Sequence, residues 1–68
     1  RNFQPVITGE IIMETFDLKP SKTVGDLKEV LTEAILEGKV KNEFDEAYSY
    51  LLQVGEQKGL QVVNKKTL

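Results

Sequence analysis

The chain has 68 residues, a formal net charge of −2, and neither cysteine nor histidine. This length allows one domain with a modest core, and the missing side chains exclude disulfides, thiolate chemistry and a histidine general base. The nearly balanced charge excludes a uniformly basic nucleic-acid-binding protein, but it leaves room for a local basic surface.

The amino-terminal residues show no helical periodicity and contain a proline, which predicts an extended lead-in segment or linker over residues 1–7. Thr8 is a typical N-cap residue, and a first helix over residues 9–16 is predicted to follow it. Pro20 disfavours helical backbone at the residue before it, so this helix must end earlier in the chain. The apolar side chains predicted to share its inner face are Ile12, Met13 and Phe16.

A second helix is predicted over residues 22–37, and it has two candidate N-caps. One is Ser21; the other is Thr23, which would form a capping-box pair with Asp26 three residues later. Gly38 follows this helix at the position where a left-handed C-terminal cap is expected. The predicted apolar stripe consists of Val24, Leu27, Leu31, Ala34 and Ile35, with Val30 on its flank.

Asn42, with Asp45 three residues later, repeats the cap-plus-acid pattern and predicts a third helix over residues 43–57. Gly59 is predicted to stop this helix. Beyond it, residues 60–68 show no consistent pattern, which predicts a flexible tail. The predicted inner face of the third helix carries Phe44, Ala47, Tyr48, Leu51 and Leu52.

These elements predict an all-α fold, a small bundle of three helices that occupies residues 8–59 between the lead-in segment and the tail. The two longer helices are expected to pack antiparallel because only a few residues join them. The first helix is expected to cover one end of the groove between them. Gly55, near the end of the third helix, is expected to fray it.

Three motifs carry a resemblance to a known family. A Gly-x-x-Ile-Met motif occupies residues 9–13, a Leu-x-Pro turn leads to Gly over residues 18–25, and Glu-Ala-Ile-Leu-Glu-Gly ends the second helix over residues 33–38. Together they resemble the carboxy-terminal segment of the CCA-adding tRNA nucleotidyltransferase and poly(A) polymerase family, especially bacterial members that also carry an HD-type domain. The resemblance covers roughly residues 7–58, most of the chain.

The chain departs from the family pattern at three positions. Ser21 stands where the family usually has Gly, Lys22 where it has Pro, and Ile11 where many members have an acid. The first two changes keep a capped helix start but replace a rigid proline at the first helical position with a charge. The third removes a capping-box partner, so some fraying of the first helix is expected.

The resemblance implies a parent enzyme that transfers AMP or CMP to an RNA 3′ end, using magnesium and nucleoside triphosphates in a distant head domain. This chain contains neither an Asp-x-Asp pair nor a phosphate-binding glycine loop. No catalytic residue, metal site or cofactor is therefore expected in it, and because it begins at Arg1 it is interpreted as a fragment. The implied partners are tRNA and neighbouring domains of the parent; neither membrane nor DNA is expected, and the expected location is the cytoplasm.

The resemblance also implies that this end of the enzyme touches tRNA, and the start of the second helix is the candidate contact. Free N–H groups and a partial positive charge favour phosphate at a helix start. Gly25 would let sugar-phosphate approach closely; the alternative is that it permits close packing between helices. The candidate RNA-binding residues are Lys19, Ser21, Lys22, Thr23, Gly25 and Lys28. Tyr50 falls off the apolar face and is the candidate for stacking on an unpaired base.

Other functions are weighed against RNA binding. A protein-docking or dimerisation module would use the acidic third helix together with apolar residues near the end of the chain. A helix-turn-helix DNA-binding protein is disfavoured, since acids open the would-be recognition helix and would repel phosphate. Glu10, Glu14 and Asp17 have the spacing of a weak metal site, but no other ligand type converges on them. The residues that would seat a docking partner are Val54, Leu60, Val62 and Val63.

Overall fold

In the computed structural model, which describes residues 3–66, the chain forms three α-helices. They are α1 over Gly9–Phe16, α2 over Lys22–Leu36 and α3 over Phe44–Gln57. Residues 3–66 contain no strand. The predicted all-α class is therefore confirmed, and each predicted helix boundary lies within one residue of the observed one. No helix in this part of the chain has both the length and the apolar character needed to cross a bilayer.

The core lies where α1 and α3 pack against the central helix α2. Most of the predicted inner-face side chains are buried there, whereas Met13, Ile35, Phe44 and Leu52 are half-buried at its margin. The core also contains two residues that were not predicted, Ile7 before α1 and Val40 in the loop after α2. The buried apolar side chains are Ile7, Ile12, Phe16, Val24, Leu27, Leu31, Ala34, Val40, Ala47, Tyr48 and Leu51.

The helices end as the glycines predict. Gly38 follows α2 with φ 81° and Gly59 follows α3 with φ 83°, both in the left-handed region. After each glycine, the next amide donates over 2.9 Å to a carbonyl five residues earlier, which is the Schellman arrangement. Asp17 ends α1 in the same way with φ 55°, a conformation that a short polar side chain tolerates better than most.

The helix starts agree less well with the sequence. Thr8 caps α1 as predicted, accepting a hydrogen bond from the Ile11 amide at 3.2 Å. The predicted cap of α3 is wrong, because Glu43 and not Asn42 is its N-cap residue. The Asn42 side chain instead accepts from the Val6 amide at 2.7 Å and donates to the Gln4 carbonyl at 3.1 Å. These two bonds fasten the lead-in segment to the loop between α2 and α3.

The C-terminal segment, residues 61–66, forms neither helix nor strand and lies across the end of α1. The amides of Val63 and Asn64 donate to the Thr15 carbonyl at 2.7 and 3.1 Å, and the Asn64 side chain donates to the Glu14 carbonyl at 3.1 Å. Carbonyls in the last turn of a helix have no intrahelical partner, so this segment satisfies them. The predicted flexibility of the tail stays a prediction, and its last two residues lie outside the described part.

A buried polar network joins α1, α3 and the C-terminal segment. The Thr15 and Tyr48 hydroxyl oxygens are 2.7 Å apart, and the Lys66 amide donates to the Tyr48 hydroxyl at 2.8 Å. Thr15 is fully buried. Because buried hydroxyls are costly without a partner, the network fixes how α1 sits against α3.

Gly55 does not fray α3, contrary to the prediction, because the helix continues to Gln57. Gly55 is buried, and a Cβ atom placed on it would lie 2.6 Å from Cε1 of Phe16. The missing side chain therefore leaves room for the aromatic ring of α1 against the backbone of α3.

Candidate nucleic-acid interface

The start of α2 lies on the surface and is open to solvent. Pro20, Ser21 and Lys22 are all exposed. Ser21 is the N-cap residue, with extended backbone at φ −166°, and its side chain makes no capping hydrogen bond. The amides of the first helical turn have no intrahelical acceptor, so these donors point outward from a helix end that carries partial positive charge.

The competing Thr23 cap is wrong. Thr23 lies inside the first turn of α2 and is half-buried. Asp26, its proposed capping-box partner, instead accepts from the Lys22 ammonium group at 3.2 Å. Because α2 begins at Lys22, the helical register places these two side chains one turn apart on its surface.

Lys22, Gly25 and Lys28 form an exposed stripe along α2, called here the Lys-Gly-Lys stripe. Residues three apart are neighbours on a helix surface, and all three are exposed. The Lys22 side chain is 88% exposed although it pairs with Asp26, whose side chain is 41% exposed. An exposed pair of this kind is weak, so the Lys22 ammonium group can exchange its carboxylate for a phosphate. Lys19 is exposed just before the helix.

Gly25 has no packing role in the structure. Apart from its chain neighbours and the backbone of its own helix, a Cβ atom built on Gly25 would have no described atom within 4 Å. The interpretation that Gly25 permits close packing between helices is therefore wrong, whereas Gly55 does have that role. Glycine inside a helix costs roughly 0.5–1 kcal/mol relative to alanine, and no packing contact within the described residues accounts for that cost at Gly25.

The two tyrosines occupy different environments. Tyr48 is buried, as predicted, and its hydroxyl belongs to the network with Thr15. Tyr50 is half-buried and packs against the margin of the core. Its predicted stacking on a base stays a prediction. The sequence predicted Phe44 only as an inner-face residue of the third helix. It also lines a surface groove beside α3, which the sequence did not predict.

The acids with metal-site spacing are dispersed. The Glu14 carboxylate forms an ion pair with the Lys66 ammonium group. Within residues 3–66, no three acidic side chains are close enough to share a metal ion. The Lys66 side chain is 40% exposed in this pair, and its neighbour Lys65 is exposed.

The geometry defines a class of protein: a small helical module that presents a lysine-flanked helix start to solvent. No protein-family model matches the chain, and no solved structure matches it.

Among characterised proteins, the chain is similar to a CC-adding tRNA nucleotidyltransferase from a Synechocystis species, with 38% identity over 52 residues. The match spans 76% of this chain but only 12% of that protein. This similarity supports the family that the three sequence motifs resemble, and it does not extend to the HD-type domain.

Proposed function

We propose that the chain is a non-catalytic carboxy-terminal part of a tRNA nucleotidyltransferase, and that it helps to hold tRNA by sugar-phosphate contacts at the start of α2. The observation that carries this proposal is the exposed Lys-Gly-Lys stripe beside the open helix start. The similarity to a tRNA-processing enzyme supplies the partner.

A phosphate fits this surface by three independent effects. The first-turn amides of α2 donate hydrogen bonds, and the helix end contributes roughly half a positive charge. Lys22 at the helix start and Lys28 six residues later add exposed cationic side chains along the same surface. Gly25 lies between them without a side chain, so a sugar-phosphate strand can approach the helix backbone there.

Backbone contacts suit a protein that must hold every tRNA, since phosphates carry no sequence information. The net charge of −2 opposes binding elsewhere on the molecule. Affinity of the 68-residue chain is therefore weak and falls steeply with salt.

In the proposed parent enzyme, a separate head domain uses magnesium and nucleoside triphosphates. The proposed parent also carries an HD-type domain. The parent acts in the cytoplasm, where it meets tRNA. Its choice of nucleotides, whether CC, CCA or A alone, is made by the head and not by the Lys-Gly-Lys stripe.

The test is a titration of ¹⁵N-labelled chain with tRNA at low salt. The test variant carries Lys19→Gln, Lys22→Gln and Lys28→Gln. A matched control replaces three exposed lysines away from α2's start with glutamine, so that both proteins lose the same charge; these are Lys39, Lys41 and Lys58.

The proposal expects amide shifts centred on residues 21–28 that disappear as salt is raised. It also expects the test variant to lose affinity and to reduce the slope of log K against log salt by about one for each phosphate-contacting lysine. If both triple variants lose affinity equally, only net charge matters and the proposed site is wrong.

A second candidate function, protein docking or dimerisation, is favoured by exposed apolar side chains near the end of the chain. Val62 is 44% and Val63 is 55% exposed. Under this alternative, tRNA leaves residues 21–28 unchanged. Concentration-dependent shifts at residues 60–63, together with sedimentation as a dimer, would then be observed.

A further inference from the structure

A groove runs along α3 beside the C-terminal segment, and the Lys-Gly-Lys stripe forms no part of its lining. Its volume is about 260 Å³. That is below the roughly 300–1,000 Å³ of sites for drug-sized ligands. The groove is therefore suited to one small group rather than to a peptide helix.

An aromatic platform forms one side of this α3 groove. The rings of Phe44 and Tyr48 stack with centroids 5.1 Å apart and planes inclined by 15°. The Tyr48 hydroxyl is held by Thr15 and by the Lys66 amide. The ring beneath Phe44 is thus fixed from two sides, which makes the platform rigid before any ligand binds.

The remaining lining is polar at the rim. Asp45 and Ser49 are exposed and offer a carboxylate and a hydroxyl as hydrogen-bond partners. Lys65 adds an exposed ammonium group from the C-terminal segment. Lys66 also lines the groove, and its pair with Glu14 is solvent-exposed and therefore weak, like the pair of Lys22. Although acids open α3, these two cations offset the carboxylate of Asp45 at this rim.

We propose that the α3 groove binds a single unpaired RNA base, which stacks on Phe44 while Lys65 contacts the adjoining phosphate. Base stacking on an aromatic side chain beside a cation is the usual way in which proteins hold single-stranded nucleic acid. Asp45 and Ser49 then meet the hydrogen-bonding edge of the base. The inference rests on the proposed function only in taking RNA as the partner.

A base inside a duplex is paired and stacked, and it cannot reach this platform without being extruded. The groove therefore takes a looped-out or single-stranded nucleotide. The Lys-Gly-Lys stripe, in contrast, contacts backbone whether or not the bases are paired. The two surfaces consequently differ in the RNA that each one recognises.

The test uses the full 68-residue chain and two single-stranded RNA heptamers, one of adenosines and one of uridines. Phe44→Leu removes the aromatic face and keeps an apolar side chain at the margin of the core. Phe3→Leu is the matched control, because Phe3 is an exposed phenylalanine of the lead-in segment and does not line the groove. Thermal unfolding of both variants shows whether the helices are intact.

The wild-type chain is expected to show side-chain shifts at Phe44 and Leu52 on addition of either heptamer. Phe44→Leu is expected to weaken heptamer binding about tenfold, within the range for the loss of one base-aromatic stack. Phe3→Leu is expected to change heptamer binding by less than about twofold. Lys65→Gln is expected to weaken binding and to reduce its salt dependence.

The proposal is overturned if folded Phe44→Leu binds the heptamers as tightly as the wild type, or if Phe3→Leu weakens binding equally. The variant with Lys19, Lys22 and Lys28 replaced by glutamine separates this result from the proposed function. If that variant loses tRNA binding and the heptamers cause no shifts at Phe44, the groove alone is wrong. If that variant keeps tRNA binding and the heptamers do cause shifts at Phe44, the groove is supported and the Lys-Gly-Lys stripe is wrong.

Discussion

Replacing Gly25 with alanine should raise the stability of the chain and lower its affinity for tRNA. Gly25 lies inside α2, and a Cβ atom there would meet no described atom within 4 Å beyond its chain neighbours and its own helix backbone. Alanine therefore fits without strain, and its higher helix propensity should raise the free energy of unfolding by about 0.5–1 kcal/mol. For a domain of this size, 1 kcal/mol corresponds to a rise in Tm of about 4–8 °C.

The loss of affinity has a separate cause. In the Lys-Gly-Lys stripe, the methyl group of alanine would occupy the place where a phosphate approaches between Lys22 and Lys28. Moving the phosphate away weakens its contacts with solvent-exposed lysines, which contribute about 0.2–1 kcal/mol each. Binding of tRNA should therefore fall about two- to fivefold. Because stability rises, partial unfolding cannot explain this loss.

Two measurements decide the matter: the urea midpoint of unfolding and the tRNA affinity by fluorescence anisotropy at fixed low salt. Gly9→Ala is the matched control, since Gly9 opens α1 and a Cβ atom there would lie 3.9 Å from Val24 in ordinary contact. It should leave the affinity unchanged. An alanine at Gly25 that stabilises the chain and binds tRNA as tightly as the wild type would refute the proposed close approach.

Two further predictions concern the core. Gly55→Ala should destabilise the chain by about 1–3 kcal/mol despite alanine's helix preference, because its Cβ atom would meet the buried Phe16 ring; an unchanged or raised urea midpoint would contradict this. Tyr48→Phe should cost about 1–3 kcal/mol, because the Thr15 hydroxyl and the Lys66 amide both lose their partner. Hydrogen exchange should then accelerate at Lys66, and a loss below about 0.5 kcal/mol in urea would show that the network contributes little.

The helices were predictable because their signals are local. Apolar residues recur at helical spacing, Pro20 separates α1 from α2, and glycines at 38 and 59 adopt the left-handed backbone that ends each longer helix. The open start of α2 was predictable for the same reason, since its N-cap and its lysines are adjacent in sequence.

Two of the errors concern contacts between residues far apart in the chain. Asn42 has the side chain of an N-cap, yet both of its polar groups bind the lead-in segment 36 and 38 residues away. Ile7 follows a proline-containing stretch without periodicity, yet it is fully buried. Competition of this kind between a local cap and a tertiary partner cannot be judged from spacing alone.

Gly25 and Gly55 show the same limit at the level of function. Both are glycines inside amphipathic helices. For Gly25 the sequence left two explanations open, close packing between helices or close approach of a ligand. The structure separates them, since Gly55 faces the Phe16 ring and Gly25 faces solvent. A glycine that weakens its helix without contributing to packing is a conformational cost that folding does not require. Gly25 is therefore the position at which the proposed sugar-phosphate contact can be tested separately from folding.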